Sequence, residues 1–129
     1  MSPYHRVVSN TWWLQRRAYL LFMVREISSV FAAGYCGSLL VLLYGLGQGQ
    51  ETYGAMLDFL KAPLGVVLQL IALIFVLYHT ITWFNLTPKI MVLRIKGERV
   101  PPLLIAGSIY AGWIVLSLVI VWLILGDWG

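Results

Sequence analysis

No Asp, Glu, Lys or Arg occurs from Ile27 to Gln50, from Ala62 to Pro88, or from Val100 to Gly126. A helix needs about 20 predominantly apolar residues to cross the roughly 30 Å hydrocarbon core of a bilayer, and each of these windows is long enough. The composition agrees: 60% of the residues are hydrophobic, 11% are charged and the mean hydropathy is +0.85. Such a chain has lipid as its main solvent. The expected fold is an all-α membrane protein with three transmembrane helices at about 27–46, 64–87 and 103–125, in a single domain covering 1–129. That length leaves no room for a soluble catalytic domain. A three-helix bundle has little interior of its own, so partner subunits are expected.

The positive charges give the chain a direction. Arg6, Arg16, Arg17 and Arg25 precede the first window, and Lys89, Arg94, Lys96 and Arg99 lie between the second and third. Lys61 alone falls on the other side, so eight of the nine Lys and Arg share one face of the membrane. The positive-inside rule makes that face cytoplasmic, with the N-terminus inside and the C-terminus outside. The sequence pI near 9.5 reflects this collar; no nucleic-acid motif accompanies it, and no nucleic-acid partner is expected. No cleavable signal peptide is expected either, because a basic and aromatic segment without a small-residue cleavage pattern precedes the first apolar run. Cys36 is the only cysteine, which excludes a disulfide or a CxxC metal site within the chain.

Local signals fill in the outline. TWWLQRRAYLLFMV at 11–24 combines Trp12, Trp13 and Tyr19 with Arg16 and Arg17, a composition suited to the headgroup level. It reads as an interfacial N-terminal helix or a ramp into the first span. The first span is rich in small residues, including Ser28, Ser29, Gly34, Gly37 and Ser38, which permit close helix approach in lipid. Gly45, Gly47 and Gly49 are expected to break it, and ETYGAMLDFL to form a brief amphipathic turn. Pro63 is placed to open the second span. That span is expected to end before Pro88, since the residue before a proline is biased away from helix. The third span starts after Pro101 and Pro102, with Gly107, Ser108, Ala111 and Gly112 as a packing face.

Within the second span stand His79 and, four residues on, Trp83, a spacing that puts both on one helix face. An imidazole inside a membrane helix is costly and is by default a functional candidate. His79 precedes Pro88 by nine residues, roughly 13 Å at 1.5 Å per residue, which places it in the cytoplasmic leaflet. Arg25 and Glu26 enter the first span from the same side. These four residues suit a quinone head group, whose two oxygens need hydrogen-bond partners, an aromatic wall and a proton route. His79 can bond one oxygen and Trp83 supply an indole N–H or a ring wall. Arg25 can stabilise developing negative charge, and Glu26 exchange protons with water. Each also has a plainer role open to it: interfacial anchoring for Arg25 with Glu26, an aromatic belt for Trp83, an interhelical hydrogen bond for His79.

The runs TWW at 11–13, MVREISSVF at 23–31 and LYHTITWFNLTPK at 77–89 resemble the C subunit of fumarate reductase, its small hydrophobic anchor. HTxTWFxxxPK carries most of the specificity; the resemblance extends over nearly the whole chain. It implies a heterotetramer of the complex II superfamily, in the bacterial cytoplasmic (inner) membrane. A flavoprotein subunit and an iron-sulfur subunit form the head, and two small three-helix anchors hold it to the lipid. Such a complex serves anaerobic respiration by passing electrons from menaquinol to fumarate. The resemblance makes Arg25, Glu26, His79 and Trp83 candidates for the menaquinone site, formed together with partner subunits. This chain then holds no flavin and no iron-sulfur cluster, and is not catalytic alone. Asn85 and Ile81 depart from the pattern, where acidic and polar residues are expected, and that bears on proton routing.

Two other readings compete. Related succinate dehydrogenases share a haem b between anchors; His79 is the one histidine in a span, since His5 lies in the N-terminal segment, so a haem here requires a partner histidine. The local motif resembles the haem-free form. A non-redox structural membrane subunit accounts for the spans and the basic collar, but gives no reason for four chemically able residues to converge at one depth.

Overall fold

A computed structural model describes residues 4–5 and 7–126. Three helices in it are long and apolar enough to cross a membrane: α1 (Arg17–Gln48), α3 (Pro63–Ile90) and α4 (Pro102–Leu125). A shorter α2 (Gln50–Lys61) follows α1, and a two-stranded hairpin, β1 (Arg94–Ile95) and β2 (Glu98–Arg99), joins α3 to α4. The chain divides into two compact units, Met1–His79 and Thr80–Gly129, with α3 running through the division.

In the first unit the N-terminal ramp resolves into a 3-10 turn at Trp12–Leu14 followed directly by α1. Trp12 meets Tyr19 edge to face, with ring centroids 5.3 Å apart. The helix begins ten residues before the expected span because RAYLLFMVRE is made of good helix formers without Gly or Pro. It also runs on through Gly45 and Gly47. The break comes at Gly49, whose φ of 120° lies where residues with a Cβ seldom go.

The expected amphipathic turn is a full three-turn helix, α2. Glu51 in its first turn and Lys61 in its last both oppose the helix dipole favourably. Its Met56 and Phe59 line a hollow with Val41 and Leu42 of α1, so the helix lies along the end of the first span.

The α2–α3 joint is tight. The Ala62 N–H donates to the carbonyls of Asp58 and Phe59 at 3.0 and 3.2 Å. Pro63 follows at the first position of α3, where its missing N–H leaves no helix bond unmade. Gln69 Nε2 donates to the Leu60 carbonyl at 2.8 Å and to the Gly65 carbonyl at 3.2 Å, satisfying an end-of-helix acceptor of α2. A Cβ on Gly65 would fall against the Phe59 carbonyl oxygen and within 2.8 Å of the Leu60 backbone.

α3 packs on α1 within this unit through Phe31 and Phe75, stacked at 4.1 Å and 7°. Tyr78 Oη donates to the Leu21 carbonyl at 3.2 Å.

The second unit begins with the end of α3. There Phe84 meets Tyr110 and Trp113 of α4 edge to face at 5.3 and 5.6 Å, and Tyr110 Oη donates to Asn85 Oδ1 at 3.0 Å. Contrary to expectation, α3 does not stop before Pro88 but carries it in its last turn and ends at Ile90. A proline in that position removes the bond its own nitrogen would make and crowds the carbonyl four residues back, that of Phe84. The turn is held by Thr87, whose Oγ1 donates to the Trp83 carbonyl at 2.8 Å and whose carbonyl accepts from Met91 N–H at 2.9 Å.

The hairpin pairs Arg94 with Arg99 and Ile95 with Glu98. Its two turn residues, Lys96 and Gly97, have φ of 53° and 86°, the pattern of a type I′ turn. α4 then starts at Pro102, one residue before the expected start.

Among the described residues one apolar side chain, Ile105, is buried, at 6% exposure. α1 buries only Ser28 and Gly45 within this chain. A Cβ on Gly34, Gly37, Gly107 or Gly112 would meet nothing within 4 Å. Close helix packing at these four glycines is therefore absent among the described residues.

Two glycine substitutions should move stability in opposite directions. Gly65→Ala forces the α2–α3 joint apart and should cost about 1–3 kcal/mol, read as a lower apparent Tm of the complex in mild detergent. Gly54→Ala, in open space on α2, should stabilise by about 0.5–1 kcal/mol. Equal effects would contradict the joint described here.

Candidate functional site

Arg25 and Glu26 stand where α1 enters the apolar window, and His79 of α3 reaches the same turn of α1. Arg25 and Glu26 are adjacent, yet their side chains bend together: Arg25 Nη2 and Nε lie 3.3 and 3.4 Å from Glu26 Oε1. The Arg25 guanidinium also sits 4.9 Å over the Phe22 ring, a cation–π contact that suits a charge near apolar surroundings. The Arg25 side chain is 14% exposed and that of Glu26 48%. The carboxylate therefore faces outward while the guanidinium is covered.

Two residues further on, Ser28 is 0% exposed. Its hydroxyl donates to the Arg25 carbonyl, the back-bonding that Ser makes inside helices. The same oxygen lies 3.1 Å from His79 Nδ1. His79 is thereby tied across from α3 to the Arg25–Ser28 turn of α1. Ser29 repeats the back-bond to the Glu26 carbonyl at 2.5 Å, without a link of this kind to α3.

Glu26 is not on the His79 side. Positions two apart on a helix do not share a face, and Glu26 borders a shallow hollow of about 300 Å³ with Trp13, Met23, Ile27 and Val30. The structure thus joins His79 to the backbone of Arg25 through Ser28, and joins Arg25 to Glu26, while Glu26 itself opens on another side of α1. Trp83 stands one turn along α3 from His79 and belongs to the second unit, where its carbonyl accepts from Thr87. Among the described residues no group of three or more His, Cys, Asp or Glu comes together as a metal site, and Cys36 is a free, exposed thiol.

Ser28 and Trp13 were missed as site residues. Ser28 reads as one of many small residues in a packing face; only its place three residues after Arg25, at the mouth of an uncharged window, distinguishes it. Trp13 reads as an aromatic-belt residue, and nothing in its spacing from Glu26 reveals that the 3-10 turn carries it back onto α1. Asn85, which departs from the resemblance, has its Oδ1 engaged by Tyr110.

A sequence model of the fumarate reductase C subunit matches residues 1–125. The chain is 42% identical over 125 residues to the fumarate reductase C subunit of Mycobacterium tuberculosis strain H37Ra, covering 97% of this chain and 99% of that protein. It is 35% identical over 127 residues to the fumarate reductase C subunit of Haemophilus influenzae, covering 92% of each. A protein of this kind works in a complex with other subunits, and its three long apolar helices make it a multi-pass membrane protein. The chain belongs to the family of fumarate reductase C subunits.

Proposed function

We propose that this chain is a membrane anchor of a fumarate reductase complex and that the Arg25–Ser28 turn with His79 helps to form its menaquinol oxidation site. In this reading a flavoprotein, an iron-sulfur protein and a second small anchor complete the assembly, in a bacterial cytoplasmic membrane with the basic residues facing the cytoplasm. The observation that carries it is the Ser28–His79 contact at 3.1 Å, which fixes an ionisable group within an apolar helix at the level of the Arg25–Glu26 pair. A plain packing contact between helices needs no imidazole there.

Quinol oxidation releases two protons and two electrons. The electrons pass to the iron-sulfur protein and on to the flavin, where fumarate takes them up as succinate. This chain's part is to hold the head group and accept protons. His79 bonds one quinol oxygen, the Arg25 guanidinium favours negative charge developing on the ring, and Glu26, the more exposed of the pair, exchanges protons with water. Trp83 provides an aromatic wall one turn from His79. A haem at His79 would require its second axial histidine from a partner chain, and the quinol assignment requires nothing of the kind.

Replacing Glu26→Gln or His79→Ala should lower menaquinol-linked fumarate reduction by about 10²-fold, the range of general acid–base groups. Assembly and dye-linked fumarate reduction should stay intact. Normal menaquinol oxidation in both variants would remove these residues from the site. The orientation has its own check: in a Cys36→Ala background, Lys96→Cys should react with an impermeant maleimide only from the cytoplasmic side and Thr52→Cys only from the other. The reverse labelling would invert the topology.

A further inference from the structure

We propose that Ser28 is a positioning residue that holds His79 in the tautomer protonated on Nδ1, so that Nε2 is the nitrogen that takes a proton from the quinol hydroxyl. The proposal rests on the quinol reading of His79 given above. A serine hydroxyl has one hydrogen and two acceptor lone pairs. Ser28 Oγ donates that hydrogen to the Arg25 carbonyl, the back-bond a serine makes within a helix. Ser28 Oγ therefore has a lone pair, and no hydrogen, to offer His79 Nδ1 at 3.1 Å. The hydrogen in that second bond must be the imidazole's.

The chain of bonds then runs in one direction, from His79 Nδ1–H to Ser28 Oγ and from Ser28 Oγ–H to the Arg25 carbonyl. In neutral imidazole with hydrogen on Nδ1, Nε2 is the acceptor. When the quinol O–H bond breaks, an Nε2–H bond forms and imidazole becomes imidazolium. The quinol's electrons leave for the iron-sulfur clusters of the partner protein. Nδ1 remains a donor before and after, so neither the Ser28 bond nor the Arg25 bond has to reorganise as the charge appears. A preset hydrogen-bond frame of this sort lowers the cost of developing charge. Because Ser28 is fully buried, water does not replace it as an acceptor for Nδ1–H.

The test uses the assembled complex in its membrane, with menaquinol as donor and fumarate as acceptor. Ser28→Ala leaves Nδ1–H facing a methyl group and should lower kcat about tenfold, the consequence of a buried donor left unpaired, with KM little changed. Ser28→Thr keeps the hydroxyl and should restore the rate to within about twofold. Ser28→Ala should add no further loss in a His79→Ala background, because the serine acts only through that ring. Dye-linked activity of each variant reports that the complex is assembled.

Wild-type turnover in Ser28→Ala, or losses that multiply in the double variant, would overturn the proposal while leaving the quinol reading in place. If His79→Ala itself turns over normally, the quinol reading falls first. Should Ser28→Ala fail to assemble, nitrogen-15 NMR of the wild-type complex decides. With histidine labelled in this chain and the His79→Ala spectrum subtracted, hydrogen on Nδ1 is the expected result and hydrogen on Nε2 alone the contrary one.

Discussion

Apolar helices in lipid gain nothing from the hydrophobic effect by touching one another, because acyl chains serve them as well as a neighbouring helix does. What α1 and α3 do gain from contact is a partner for each other's polar groups. The Ser28 hydroxyl is the central case: it is fully buried, and it reaches both its own helix backbone and His79 Nδ1. An imidazole left without such a contact in hydrocarbon would cost several kcal/mol. The Tyr78 bond to the Leu21 carbonyl and the Phe31–Phe75 stack then hold neighbouring levels of the same pair of helices. With one apolar side chain buried among the described residues, register in this unit comes from these few contacts and not from a core.

The remaining elements of the first unit brace that pair. α2 lies along the end of α1 and returns the chain to α3 through a joint too close for a side chain at position 65, with Gln69 closing a late carbonyl of α2. The joint fixes where α3 starts, about 24 Å along the helix axis from His79 at 1.5 Å per residue. At the opposite end the 3-10 turn folds Trp13 onto the hollow beside Glu26. The proposed quinol site thus lies toward one end of α1 and the joint to α3 toward the other. Gly34 and Gly37 of α1 and Gly107 and Gly112 of α4 stand in open space among the described residues.

Much of this was legible in the residues because bilayer physics leaves few options. Absence of charge gave the three spans, and Pro63 and Pro102 marked two helix starts to within a residue. At Gly45, Gly47 and Pro88 helix continuity outweighs the local breaker. Gly45 and Gly47 stay helical because a helix in lipid has no water to satisfy backbone groups it releases. Pro88 stands in the last turn of α3, which ends two residues later. The hairpin was hidden because Lys-Gly is a weak turn signal beside Asn-Gly or Asp-Gly, and pairing Arg94 with Arg99 puts like charges opposite each other. At the site, depth alone brought Arg25, Glu26 and His79 to one level. Depth says nothing of angle around α1, and angle is what separates Glu26 from His79 and admits Ser28 between Arg25 and the imidazole.

The central claim is that menaquinol meets this chain where His79 is tied to the Arg25–Ser28 turn. A photoreactive azido-naphthoquinone, bound to the complex in its native membrane and activated by light, records contact without relying on turnover. Mapping the adducts by mass spectrometry should find them on α1 near 25–28 and on α3 near 79, and excess menaquinol should suppress them. Competed adducts confined to other parts of the chain, such as the hollow between α1 and α2 around Val41 and Phe59, would contradict the account.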